Sequence, residues 1–278
     1  MTHVRGAPRP ATLTDLFVDD PMAAPLTYPG RLPRTSGLLQ DDSFVPLAEV
    51  AGAPAEDWHA HVGGQAVRLG DHLEALGAAP MSARHAVLAV GSNAAPSQLY
   101  RKFFDGALRP VVPLTQATVQ GIAAGVSAHI NRHGYVPAAP IAAPGPSRLF
   151  VLWVDQAQLV ALDVTEPNYY RRLLPTERHP VTPASGVALP TCWVYVSRHG
   201  CLTDRTGEAM RLEAQPRLIA RLLSRSAELR TLCGPTPETF VARVREPLVR
   251  EAACHLFRSL GLAREQPELL GLPTRTAC

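Results

Sequence analysis

The chain has 278 residues, enough to bury a substantial core and to form one large domain or two small ones. With 46% hydrophobic and 18% charged residues it reads as a soluble globular protein, and a net charge of +3 spread along the sequence excludes a nucleic-acid footprint. Lys102 is the only lysine, so the positive charge is almost all arginine; with abundant Ala and Pro this reads as base composition before it reads as function. The five cysteines are scattered, odd in number and without C-x-x-C spacing, which argues against a zinc site or a disulfide framework. Met1-Thr2-His3-Val4-Arg5 leads into a Pro-rich polar stretch instead of an apolar signal region, and no run of about 18 apolar residues exists to span a membrane. The expectation is a cytoplasmic protein with no membrane partner.

Residues 1–48 are rich in Pro, Gly and Asp and are read as an arm, partly ordered, that wraps a neighbouring surface or has no role. Residues 46–76 take a helical pattern, with Val67, Leu69, Leu73 and Leu76 on one face and Gly77 as the stop. Residues 85–90 form a short apolar run ended by Gly91-Ser92-Asn93, which suits a buried strand. A helix is predicted from Pro96 to Phe104, with Leu99, Phe103 and Phe104 facing inward. Residues 114–130 read as strands with a bend near Gly121 or Gly125, and residues 137–146 as a Pro-rich loop. Residues 149–154 are a strong strand candidate, Asp155 caps a helix over 156–163, and residues 191–196 form a further strand. After Gly207, two periodic stretches predict helices, the first broken by Pro216, that cover the sheet or build a homodimer contact. The fold class is α+β around a compact mixed β-sheet or barrel. Three parts are expected: an N-terminal extension (1–84), a central domain (85–205) and a helical C-terminal extension (206–278).

Two segments hold candidate chemistry. Gly91 at a strand end permits a sharp turn and close approach of a ligand, and free amides before a helix can bind a carboxylate or a developing oxyanion. Local pattern alone favours an ordinary strand-to-helix turn. Neither G-x-G-x-x-G nor a P-loop is present. Glu166 sits at a predicted helix end before Pro167, with Tyr169, Tyr170, Arg171 and Arg172 beyond it. Partial desolvation beside aromatic groups would suit it to work as base and acid; a solvated Glu paired with Arg171 or Arg172 is the plainer alternative.

Taken in order, Val87-Leu88-Ala89-Val90-Gly91-Ser92-Asn93, the strand 149–154, and Leu162-Asp163-Val164-Thr165-Glu166 followed by Tyr170 and Arg172 resemble the γ-glutamylcyclotransferase-like family over roughly residues 85–200. That family carries Tyr-Gly-Ser-Asn-Leu at a strand end and Leu-Asp-x-x-Glu with Tyr-x-Arg further on. The resemblance implies an enzyme that needs no metal or organic cofactor and acts on a small molecule, a γ-glutamyl amide. Gly91, Ser92 and Asn93 would bind substrate, Glu166 would catalyse, and Tyr170 would contact the substrate or hold Glu166, with core packing as an equal reading of Tyr170. The α-amine attacks the γ-carbonyl within the same molecule, releasing 5-oxoproline and an amine. Val90 stands in place of the family's Tyr, Ala94 in place of its Leu and Pro167 in place of a Gly, which points away from the usual glutathione-derived substrates. A diverged amide hydrolase or acyltransferase in specialised metabolism is the alternative, as is a non-catalytic binding module.

Other residues rank lower. His59-x-His61 with His72 invites a metal, but the spacing in an Ala/Gly-rich segment is weak. His129 and His133 would line a pocket or sit on a solvated turn. Cys201 after His199-Gly200 lacks an orienting third group, and Ser92 lacks a Gly-x-Ser-x-Gly elbow.

Overall fold

The structure, a computed structural model, describes residues 13–274. The expected features before residue 13, and Cys278, lie outside the described residues. Two hairpins open the chain: β1 (Gly37–Gln40) with β2 (Ser43–Ala48), then β3 (His59–Val62) with β4 (Gln65–Arg68), followed by α1 (Leu69–Ala75). The arm reading of residues 37–48 and the helical reading of 46–68 are thus corrected. Gly63 and Gly64, both at positive φ, make the two-residue turn that folds β3 onto β4, and only Leu69 and Leu73 of the proposed face belong to a helix.

The centre follows as β5 (His85–Ala89), α2 (Pro96–Asp105), β6 (Val111–Val126), β7 (Ala138–Val154), α3 (Gln156–Thr165), β8 (Tyr169–Leu174), β9 (Val181–Pro183) and β10 (Cys192–Ser197). These join β1–β4 in one mixed sheet ordered β4-β3-β2-β1-β6-β7-β5-β10-β8, with β9 paired to β6. β5 and β10 run parallel; the other pairs are antiparallel. The strand path is open, so the barrel alternative gives way to an open sheet. The predicted bend is present: the β6–β7 register shifts at Gly121, whose φ is +73°.

Residues 138–146, expected as a loop, are strand. Three prolines (Pro140, Pro144, Pro146) suggested otherwise, yet over this stretch β7 is paired on one side only, to β6. A missing N–H facing the other edge costs no ladder bond.

The C-terminal part adds β11 (Cys201–Leu202), α4 (Gln215–Arg225), α5 (Ala227–Cys233), α6 (Pro237–Val244), α7 (Pro247–Ser259), β12 (Ala263–Arg264) and α8 (Pro267–Leu270). Pro216 does not break α4 but occupies its first turn, where a proline lacks no needed bond. Helices α4 to α7 bury Leu218, Leu222, Phe240 and Phe257 against Val126, Ala128 and Ile130 at the far end of β6. On one face of the sheet α2 and α3 pack Leu99, Phe103, Leu159 and Leu162 onto Val87, Ala89 and Leu152; α8 covers part of the other. No helix among the described residues is long and apolar enough to cross a membrane.

Phe103 is fully buried beneath α2, whereas Phe104, expected inward, is 63% exposed and stacks on Tyr100. Replacing Phe103 by Ala is therefore expected to cost about 3–5 kcal/mol in a denaturant titration. Phe104→Ala should stay within about 1 kcal/mol of the parent.

Candidate active site

β5 is an interior strand, third from the β8 edge, flanked by β7 and β10, and the loop follows at its end. Gly91 begins that loop where no side chain fits: a Cβ there would sit 2.6 Å from the Ala138 Cβ and 2.8 Å from the Tyr28 hydroxyl oxygen. Ser92–Ala94 form one 3-10 turn, with the Ala94 N–H on the Gly91 carbonyl and the Ala95 N–H on that of Ser92, both at 2.9 Å. Among the described residues no backbone carbonyl takes the N–H of Gly91, Ser92 or Asn93. Val90 turns the other way, into the apolar layer holding Leu149, Trp153 and Leu270.

α3 brings Glu166 to this loop. Asp155 starts the helix with a capping box, accepting the Gln158 N–H while the Gln158 side chain accepts its own. Glu166 ends it, because Pro167 cannot continue, and α2 runs alongside. The Glu166 Oε1 accepts from Asn93 Nδ2 at 3.0 Å and from Lys102 Nζ at 2.6 Å, and Lys102 also donates to Asn93 Oδ1 at 2.7 Å. Both charged side chains are 13% exposed. Every bond to the carboxylate falls on Oε1; Oε2 takes none among the described residues. The expected pairing with Arg171 or Arg172 is not formed. Arg171 pairs with Asp163 at 3.3 Å and lies over Trp193, while Arg172 donates to the Leu270 carbonyl.

The carboxylate borders a cleft of about 960 Å³ that also exposes Gly91, Ser92, Asn93 and Lys102. Gly91, Ser92, Asn93 and Glu166 are thus brought together. Tyr170 is not: successive residues of β8 face opposite sides, and Tyr170 lies outward between the guanidiniums of Arg172 and Arg198, 4.7 and 4.2 Å from its ring centre. Its neighbour Tyr169 lines the cleft and donates to the Ala138 carbonyl at 2.7 Å. The Ala138 N–H in turn donates to the Tyr28 hydroxyl at 2.9 Å, and Tyr28 stacks on Tyr135 with ring centres 4.3 Å apart. Burial, with the Glu166 charge nearby, pushes the Tyr28 phenol up to about 12, and burial first raises Tyr135 and Tyr169 as well. Tyr28, Lys102 and Tyr169 are among the cleft residues that sequence reasoning missed. A lone lysine was the one available signal.

Two histidines form the floor. His129 Nδ1 lies 2.6 Å from Ser127 Oγ, which lies 2.7 Å from Ser197 Oγ. His199 Nε2 lies 3.0 Å from Asn168 Oδ1, and the two imidazole centres are 4.6 Å apart. Burial, with His199 adding to it, lowers His129 to about 3. His133 lines the cleft too, and burial with Arg132, Arg101 and Arg245 nearby lowers it. His59 and His61 lie on β3 while His72 bonds Gln40 at 2.8 Å, and no cluster of three or more potential metal ligands forms among the described residues. Cys201 is buried in β11.

No protein-family model and no curated protein matches the chain. Solved structures that it is similar to include a gamma-glutamyl cyclotransferase, at 17% identity over 42% of this chain and 68% of that one, with a TM-score of 0.32. An uncharacterized protein from Homo sapiens matches at 17% identity over 41% and 67%, with a TM-score of 0.32. A protein from Arabidopsis thaliana, solved in solution, matches at 16% identity over 54% and 81%, again with a TM-score of 0.32.

Gly91→Ala has no room for its methyl group and is expected to lose about 1–3 kcal/mol of stability on chemical denaturation. His129 gives a pH signature. An unfolded histidine titrates near 6.5, so the unfolded chain takes up a proton that buried His129 refuses. Stability is then full above pH ~6.5 and falls by a few kcal/mol as pH drops toward 3. His129→Asn should flatten that slope in urea titrations run across the same pH range.

Proposed function

We propose that the chain is a γ-glutamylcyclotransferase-like enzyme that cleaves a γ-glutamyl or related amide, releasing 5-oxoproline and an amine, with Glu166 as base and acid. One observation carries the reading: Glu166 is held at Oε1 by Asn93 and Lys102 while, among the described residues, Oε2 takes no hydrogen bond, beside loop amides that no backbone carbonyl takes. A fixed carboxylate with one free oxygen is what proton transfer to and from a bound substrate needs.

In this reaction Oε2 takes a proton from the substrate's α-amine. The amine nitrogen attacks the γ-carbonyl carbon, closing a five-membered ring and moving the carbonyl electrons onto oxygen. The loop N–H groups of residues 91–93 are donors for that oxygen. Tyr28 is another, since its oxygen already accepts the Ala138 N–H and its own proton remains to be given. Collapse breaks the bond to the leaving nitrogen, which takes the proton from Glu166. Because nucleophile and electrophile share one molecule, positioning supplies much of the rate.

Lys102 also supports a second reading, a binding module that keeps the cleft: a carboxylate 2.6 Å from an ammonium can be a purely structural pair. Turnover separates the two. With a panel of γ-glutamyl amines, 5-oxoproline is expected by mass spectrometry, and Glu166→Gln should lower kcat by about 100-fold or more. Release of free glutamate would indicate hydrolysis. A Glu166→Gln variant as active as the parent would rule out the mechanism.

A further inference from the structure

Beyond the Glu166–Lys102 pair the cleft holds a second group of charges, mostly basic. Arg101 precedes Lys102 on α2 and lines the cleft with it; Arg132 lines it from the segment between β6 and β7. The Arg101 side chain donates to Gln98 Oε1 at 2.8 Å, but its Nε is buried with no hydrogen-bond partner. Arg132 Nε donates to His133 Nε2 at 3.2 Å, and Arg245 Nε to the His133 carbonyl at 3.2 Å, so a third guanidinium backs the same spot. Like most arginines among the described residues, Arg101, Arg132 and Arg245 pair with no carboxylate; six others do. Asp105 and Glu251, also on the cleft, and Asp20 are the other acids nearby. Tyr135, which also lines the cleft, lies within electrostatic reach of Glu166 and of both Arg101 and Arg132.

A buried guanidinium nitrogen without a partner is costly, and forked donors fit a carboxylate. We infer that Arg101 and Arg132 form a binding site for a carboxylate, so that the molecule taken by the cleft is an anion docked there while its amide reaches Glu166. The amide half of this statement rests on the proposed function; the anion site does not. In a γ-glutamyl amide the carboxylate belongs either to the glutamyl unit or to the leaving amine.

The test is calorimetric titration of the full chain with glutarate, a dicarboxylate that cannot be turned over, and with neutral glutaramide. Glutarate is expected to bind and glutaramide not. Arg101→Gln and Arg132→Gln should each weaken glutarate about 10- to 100-fold, while Arg101→Lys, which keeps the charge, weakens it less. Circular dichroism melts of each variant check the fold, and Arg132→Gln stands in if Arg101→Gln does not fold. No glutarate binding, or binding unchanged in both Gln variants, overturns the site. If 5-oxoproline is weakened alongside glutarate, the glutamyl carboxylate is the one bound. If only kcat/KM for γ-glutamylglycine falls, against that for γ-glutamylethylamide, the leaving half carries it. Glutarate binding lost in the Arg variants but kept in Glu166→Gln, with no turnover of any amide, would retain the anion site and discard the cyclotransferase reading.

Discussion

Glu166 and Lys102 lie 2.6 Å apart with little of either side chain open to water, and Asn93 bonds to both. Removing one member of so shielded a pair leaves the other charge uncompensated, a change that costs about 3–5 kcal/mol in proteins generally. The contact joins the end of α3 to two elements far from it in sequence, the loop after β5 and the last turn of α2. For it to form, α2 and α3 must lie side by side on one face of the sheet, which is what Leu99, Phe103, Leu159 and Leu162 bring about through apolar burial. Packing sets the distance and electrostatics sets the rotamers.

The paired strands β6 and β7 are the scaffold on which the rest is arranged. One end of the pair carries β5 and the apolar layer beneath α2 and α3. The other leads into residues 127–137, which supply His129, Arg132 and Tyr135 to the cleft. That segment is held from the C-terminal side: Gln215 of α4 accepts the Val136 N–H and donates to its carbonyl, both at 2.9 Å. The helical layer therefore fixes the wall of the cleft opposite Glu166 as well as covering apolar surface.

Reading the chain as a sequence recovered the elements whose signal is local. The apolar run 85–90, the helix at Pro96 and the Asp155 cap each depend on neighbours within a few residues, and each is present. The hairpins of residues 37–68 escaped because four-residue strands carry too little alternation to outweigh the Ala, Gly and Pro around them. β7 escaped because prolines are informative only when the paired edge is known. In the site, Gly91, Ser92, Asn93 and Glu166 came from ordered motifs and are adjacent in space. Tyr170 was placed in the cleft and Tyr169 was not, since strand parity was undetermined. Tyr28 and Lys102 reach the cleft through space, and apart from Lys102 being the lone lysine their sequence bears no mark of it.

The isolation of Lys102 among 26 arginines (27 basic side chains, less one) has a practical consequence. An ammonium is compact and turns its three donors freely, so it serves Glu166 and Asn93 together where a planar fork would need both acceptors on one edge. It is also the only side-chain primary amine in the protein. A reagent that acylates or methylates lysines has a single side-chain target, and its rate of reaction reports how often that one ion pair opens to solvent.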